Sequence, residues 1–161
     1  MYPFSFQNPT RIEFGLDKEK EMGKYMHEYA AKKALIIYGS ERVKQSGLFE
    51  DVAKSLREHG IEYIECGGVK STPTISKVRE AVAMAKAFGA DSVLSIGGGS
   101  CLDSAKAIAA GACYDGDTWD FFKGTPVQKA LMIFDVITLA ATGSEMNWGS
   151  VITNEETQQK Y

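Results

Sequence analysis

Apolar positions along the chain fall into two alternating registers: short continuous runs, and longer stretches where they recur every three to four residues. "KALIIYG" (33–39) is the first continuous run, as expected of a strand covered on both faces. "IEYIE" (61–65), "DSVLSIGGGS" (91–100) and "LMIFDVITLA" (131–140) read as three more strands. Between them lie helical patterns. Asp17, a good N-cap, precedes Met22, Tyr25, Met26, Tyr29 and Ala30 at helical spacing. Val43, Leu48, Phe49, Val52 and Leu56 mark a second helix closing at His59-Gly60, and Ile75, Val78, Val82, Ala85 and Phe88 a third ended by Gly89. A fourth helix opens from Gly97-Gly98-Gly99-Ser100, and a Trp/Phe-rich segment, "DTWDFFKG", precedes the last of these strands.

Two further β-type patterns lie at the ends. "FSFQ" and "RIEFG" predict an N-terminal hairpin joined through Asn8-Pro9. "GSVITNEETQQKY" predicts a strand, a polar turn and a second strand that stops as it begins, so the chain is expected to be a truncated piece of a longer protein. Alternating strands and helices with short connections imply right-handed βαβ units and a mostly parallel sheet. The expected fold class is a doubly wound α/β domain, without internal repeats or a low-complexity linker.

At 161 residues and 44% hydrophobic content, the chain is one domain, or a large part of something bigger, with enough apolar material for a core. Its net charge of −3 offers no basic excess to release phosphate counterions, which argues against nucleic-acid binding. No apolar run is long enough for a membrane span. The start, "MYPFSFQNPT", lacks the charged and apolar regions of a signal peptide, so a soluble, cytoplasmic protein is expected. Cys66, Cys101 and Cys113 show no CxxC spacing and read as reduced core thiols. His27 and His59, the two histidines, form no HxxxH pair and read as helix-surface residues rather than metal ligands.

The candidate chemistry sits at strand ends. In open parallel sheets, ligands bind beyond the carboxyl ends of the strands. The Gly97-Gly98-Gly99-Ser100 turn occupies such an end and opens a helix, whose first amides lack intrahelical partners and carry the positive end of the dipole. Without side chains the turn can approach an anion closely or adopt positive φ, and a pyrophosphate is the natural occupant. Ser100 is placed to cap the helix or to donate to the same anion. The alternative is a tight βα turn with no ligand. G-x-G-x-x-G fails at Leu102, and the Walker pattern is absent. A second turn, "VITLAATGSEMN", puts Thr138, Thr142, Gly143 and Ser144 at another strand end, either to bind a nucleotide or to bond its own backbone. It is not a hydrolase elbow, because Thr142 and Met146 stand where G-x-S-x-G needs glycines.

"NPTRIEFG", "LIIYGSERVKQSG", "GGGSCLDSAKAIA", "ITLAATGSEMN" and "VITNEETQQKY" together resemble the N-terminal half of the iron-containing (group III) alcohol dehydrogenase family. "TWDFF" and "LAATGSEMN" lean toward its butanol dehydrogenase-like subgroup. The resemblance implies a Rossmann-like dinucleotide-binding domain over 1–161, cut before the family's all-helical metal-binding domain. It implies hydride transfer between NADP or NAD and a short-chain alcohol or aldehyde. Gly98, Gly99 and Ser100 resemble the family's pyrophosphate loop, with Gly97 before them counted among the cofactor-binding residues, and Asp103 resembles the aspartate facing the nicotinamide side; its plain alternative is a surface carboxylate in a first helical turn. Thr138, Leu139 and Thr142 match positions lining the cofactor, while Ser144 and Asn147 lie where cofactor meets substrate. Lys160 matches a lysine that reaches the nucleotide, or is an exposed hairpin lysine.

Gly39 and Ser40 follow the first parallel strand, where an acidic residue would select NAD; this small neutral pair, with Arg42 and Lys44 behind it, predicts a preference for NADP. The family's divalent metal, iron or zinc, has an aspartate and three histidines as implied ligands, all beyond residue 161. No catalytic or metal residue is therefore expected in this chain, and it should be inactive alone. A stand-alone nucleotide-binding module and a polyol (glycerol-type) dehydrogenase are the competing readings, the latter disfavoured by "TGSEMN". The N-terminal strands are expected to pair with a second copy in a homodimer.

Overall fold

The computed structural model describes residues 3–5 and 7–161. Four strands, β1 (Lys33–Tyr38), β2 (Glu62–Cys66), β3 (Ser92–Gly98) and β4 (Met132–Leu139), form one fully parallel sheet in the order β2-β1-β3-β4. Five helices accompany them: α1 (Met22–Glu28), α2 (Arg42–Gln45), α3 (Leu48–Glu58), α4 (Ile75–Phe88) and α5 (Gly99–Ala112). Strand order and crossover hand fix which face each helix covers. From β1 the chain moves one way to β2, then back past β1 to β3 and onward to β4. Right-handed crossovers in opposite directions place their helices on opposite faces. Accordingly Ala34 and Ile36 of β1 pack with Phe49, Val52 and Leu56 of α3 and with Met22 and Met26 of α1. Leu35 and Ile37 point the other way, into a cluster with Ile75, Val78 and Val82 of α4 and Leu102 and Ile108 of α5.

The helical patterns are met with local differences. The expected second helix is split: α2 ends and α3 begins around Gly47, whose φ of 85° is a left-handed conformation that a side chain disfavours. Asp17 does not cap. Its φ is 60°, its side chain pairs with Lys20 at 2.7 Å, and a 3₁₀ turn over Lys18–Glu21 precedes α1. Ala30, expected on the apolar face, instead turns the chain at φ 61° into β1.

The N-terminal hairpin is not formed among the described residues; Phe6, within "FSFQ", lies outside them. Residues 7–14 run without strand pairing, tethered by side chains. Asn8 donates to the Met146 carbonyl at 2.8 Å and Arg11 reaches Glu28 at 2.6 Å. Phe14 and Leu16, 97% and 96% exposed, have no layer to cover them, and a two-stranded ribbon with an unburied apolar face is marginal. The C-terminal pattern does close: β5 (Thr153–Asn154) pairs antiparallel with β6 (Gln159–Lys160), and Ile152 and Tyr161 exchange both backbone hydrogen bonds, at 2.7 and 3.1 Å. This hairpin docks on the start of α4 through Thr153 N–H to the Pro73 carbonyl (2.8 Å), Ser76 to Glu155 (2.5 Å) and Arg79 to Glu156 (3.0 Å).

One close approach holds α1 on α3. The amide of Gly23 donates to the buried Ser55 hydroxyl at 3.0 Å, and a Cβ on Gly23 would collide with the Ser55 carbonyl. Helix propensity favours alanine over glycine by about 1 kcal/mol, whereas overpacking a fixed backbone contact costs about 1–3 kcal/mol. With a backbone carbonyl at 2.0 Å the cost falls toward its upper end, so Gly23→Ala is expected to destabilise the chain by up to about 2 kcal/mol in urea unfolding. A stabilised variant would show that the two helices separate freely.

Candidate functional site

The reversal of strand order at β1 leaves a crevice where the loops after β1 and β3 diverge toward opposite faces, the standard ligand position of an open parallel sheet. Gly39-Ser40 form one lip and Gly97-Gly98-Gly99-Ser100 the other. Cys101 fills the floor between them. Its sulfur is buried, 3.9 Å from where a Cβ on Gly39 would stand and 2.5 Å from one on Gly97. Burial pushes the Cys101 thiol up to about 11, with the Asp135 carboxylate adding to the effect, so it packs as an inert thiol. Cys101 had been legible only as a buried cysteine; its place as the wedge between two glycine lips needed the fold.

The three glycines differ in what they do, and none has a left-handed φ. Gly97 makes room for Cys101, and Gly99 for the Thr142 side chain. Gly98 makes room for neither. At φ −91° and ψ −168° it caps α5 in an extended conformation open to any residue, and a Cβ there would find only Leu139 at 3.9 Å. Positive φ is thus not the reason for this turn. Having no side chain, Gly98 contributes no acceptor to the first-turn amides of α5, which keep their positive dipole end at the mouth of the crevice. Ser100 is neither cap nor free donor: its hydroxyl donates to the Ser71 carbonyl at 2.8 Å.

The second turn folds over the first. Thr138 and Leu139 are exposed at the end of β4, Leu139 at 68%. Thr142 lies against Gly99, and its hydroxyl accepts the Ser144 amide at 3.4 Å. Ser144 is buried; its hydroxyl donates to Asp103 Oδ1 at 2.6 Å. Asp103 Oδ2 accepts the Val151 amide at 3.1 Å. Asp103 is therefore a tether between α5 and the 143–151 loop rather than a free surface carboxylate. Asn147 is likewise engaged within the loop, donating to the Gly143 carbonyl (2.8 Å) and accepting the Gly149 amide (2.9 Å). Lys106, one helical turn after Asp103, reaches the Ser144, Asn147 and Gly149 carbonyls at 2.6, 2.9 and 2.8 Å and the Ser144 hydroxyl at 2.8 Å. Lys160 is exposed on β6, in the hairpin docked beside the 71–76 segment that holds Ser100. The structure thus brings together Gly97–Ser100, Asp103, Thr142, Ser144 and Asn147, while Gly39-Ser40 face them across the crevice.

The cation content of the first lip is smaller than its sequence promised. Lys44 pairs with Glu65 at 2.5 Å, and its ammonium lies over the Tyr38 and Phe49 rings. That pairing raises the lysine above its ordinary range and lowers Glu65. Arg42 is exposed and, among the described residues, has no carboxylate within ion-pair distance. Among the described residues no three His, Cys, Asp or Glu side chains gather as a metal needs. His59 instead bonds the Ser55 carbonyl at 2.8 Å.

Beneath the second turn, Asp135 of β4 accepts the Ser95 hydroxyl and is half-buried. Burial pushes its carboxyl up to about 7; the Ser95 bond opposes this, Glu145 adds to it and Lys106 opposes it. A carboxyl that keeps its proton in the folded state to about pH 7, but loses it near pH 4 when unfolded, makes the fold less stable as pH rises through that window. Asp135→Asn keeps an oxygen for Ser95 and removes the titration. It is expected to leave stability to urea nearly unchanged at about pH 3, below both pKa values, and to stabilise the chain by about 1–3 kcal/mol at about pH 8. Equal effects at both pH values would refute the assignment.

This crevice has counterparts. The family model described as "Iron-containing alcohol dehydrogenase" matches residues 9–161. A probable NADH-dependent butanol dehydrogenase of Bacillus subtilis is 44% identical over 162 residues, covering 100% of this chain and 42% of that protein. An NADPH-dependent aldehyde reductase of Escherichia coli is 34% identical, covering 99% and 41%. The crystal structure of NADH-dependent butanol dehydrogenase A from Thermotoga maritima superposes with a TM-score of 0.97 at 49% identity, over 100% of this chain and 41% of that one. The chain spans about two fifths of the length of these relatives. With the matching fold, the glycine turn and the 138–147 turn in one crevice, the chain belongs to the iron-containing alcohol dehydrogenase family.

Proposed function

We propose that the chain is the dinucleotide-binding half of an NAD(P)H-dependent alcohol or aldehyde oxidoreductase, acting with residues of a longer protein that supply the metal and the rest of the substrate cleft. The carrying observation is Gly98. Its neighbours are glycine because of packing inside the protein, but a Cβ on Gly98 would meet only Leu139, at a relaxed 3.9 Å, at the mouth of α5. A diphosphate lying on the first-turn amides would occupy that space, and its charge suits the helix dipole. When bound, the nicotinamide supplies or accepts the hydride. The chain's own residues bind and orient it: the glycine turn holds the diphosphate, Gly39-Ser40 take the adenosine ribose, and Thr138, Leu139 and Thr142 line the path toward Ser144 and Asn147. The residues described here do not fit the family's iron, so no step is assigned through a metal.

Of the two cofactors, the geometry supports NADH. Lys44 is spent on Glu65, and Glu41 follows Ser40, so Arg42 alone remains to meet a 2′-phosphate. This departs from the NADP preference read from the sequence, and the higher identity to the relative named NADH-dependent supports the change. The N-terminal segment, with Phe14 and Leu16 exposed, is proposed to find its partner strand in a second copy.

Fluorescence titration of the chain with NADH and NADPH is the direct test. NADH is expected to bind more tightly, and Gly98→Ala to weaken it about tenfold or more while changing the unfolding free energy by less than about 0.5 kcal/mol. Unchanged affinity in that variant would remove the diphosphate from the turn. Added butanal should leave NADH absorbance constant for this chain alone; turnover would disprove its dependence on a second half. For the full-length enzyme, light scattering should give a dimer, and a monomer would remove the strand-pairing proposal.

A further inference from the structure

Lys106 has no part in the proposed function, yet its ammonium is the most heavily bonded group of the site. It projects from α5 into the concave side of the 143–149 loop. Besides the three carbonyls and the Ser144 hydroxyl, it meets the Asn147 side-chain oxygen at 3.3 Å. Five oxygens from three loop residues thus converge on one point charge, the arrangement by which backbone carbonyls replace the hydration shell of a monovalent ion. The Ser144 hydroxyl accepts from Lys106 and passes its own proton toward Asp103 Oδ1, so cation, hydroxyl and carboxylate form one directed chain. From Ser144 the path continues through its amide to Thr142, whose side chain fills the space above Gly99.

We propose that Lys106 is a positioning residue, an internal cation that orders the 143–149 loop and thereby sets Thr142 against the glycine turn. The inference rests on the dinucleotide reading for its consequence, but its structural content stands apart from it. Without the ammonium, the carbonyls of Ser144, Asn147 and Gly149 would face each other with no donor between them, and the loop would open to hydrate them. Arginine cannot take the place, because a planar fork does not converge on a single point.

Amide hydrogen exchange in the ligand-free chain tests the structural part. Lys106→Met is expected to speed exchange over 143–151 by about 10–100-fold, leaving the β1 and β3 amides of 34–38 and 93–96 protected, with Lys106→Arg no better than methionine. Lys106→Ala removes the whole side chain, and ammonium chloride should restore protection where sodium chloride of equal ionic strength does not. If Lys106→Met fails to fold, the alanine variant still decides, since ammonium-specific refolding supports the proposal and an equal response to both salts overturns it. Unchanged exchange over 143–151 in the folded methionine variant overturns it too. NADH affinity is read separately and should fall about tenfold in Lys106→Met. A wild-type chain that binds no NADH would defeat the cofactor reading while leaving the exchange result to judge Lys106.

Discussion

Everything at this site depends on the reversal of winding at β1. All four strands share one direction, so their carboxyl ends lie on one side. Because β2 and β3 flank β1, the connections leaving β1 and β3 must part toward opposite faces of the sheet. The parting creates a crevice that no side chain has to carve. What remains is to keep it open at the mouth and closed at the floor. Gly98 does the first by contributing nothing, and Cys101 the second by wedging its sulfur between Gly39 and Gly97. The same reversal assigns α3 to one apolar layer and α4 and α5 to the other, so core and crevice follow from one topological fact.

The electrostatics of the crevice come from backbone more than from side chains. Lys44 is engaged by Glu65, and Lys106 by the oxygens of the following loop. The field left for an anion is that of the α5 amides, which cost no reorganisation when a ligand arrives. Three carboxyl groups, Asp103, Asp135 and Glu145, act on the Lys106 ammonium beneath the loop, and they differ in their partners. Asp103 is held by Ser144 and the Val151 amide, Asp135 keeps its proton to about pH 7, and Glu145 buries one oxygen without a partner. The loop over the glycine turn is thus secured by hydrogen bonds to one ammonium and one carboxylate of α5.

How much of this was legible in the sequence differed by element. The continuous run 33–39 and the helical spacing of 75–88 described strand and helix correctly, because burial on two faces or on one stripe writes itself into residue order. The hairpin expected from "FSFQ" and "RIEFG" failed, because alternation records that a face wants covering but not what covers it. The two turns singled out lie at the carboxyl ends of β3 and β4, yet several of their residues are engaged within the protein. Ser100, Asp103, Ser144 and Asn147 were candidates for ligand contact; each has a protein partner, found across 29 to 41 residues of sequence for Ser100 and for the Asp103–Ser144 pair.

Sequence by itself determined the fold class, the position of the glycine turn at the mouth of a helix, and the membership that its motifs carry. These are properties of local order: periodicity, and residues a few places apart. Only the tertiary structure decided that Gly97 and Gly99 are glycine for packing and Gly98 is not, that Lys44 is spent on Glu65, and that Lys106 gathers a loop some forty residues onward. Each of these turns on which atoms share a volume of a few ångströms, and a chain specifies that only after its strands have taken their order.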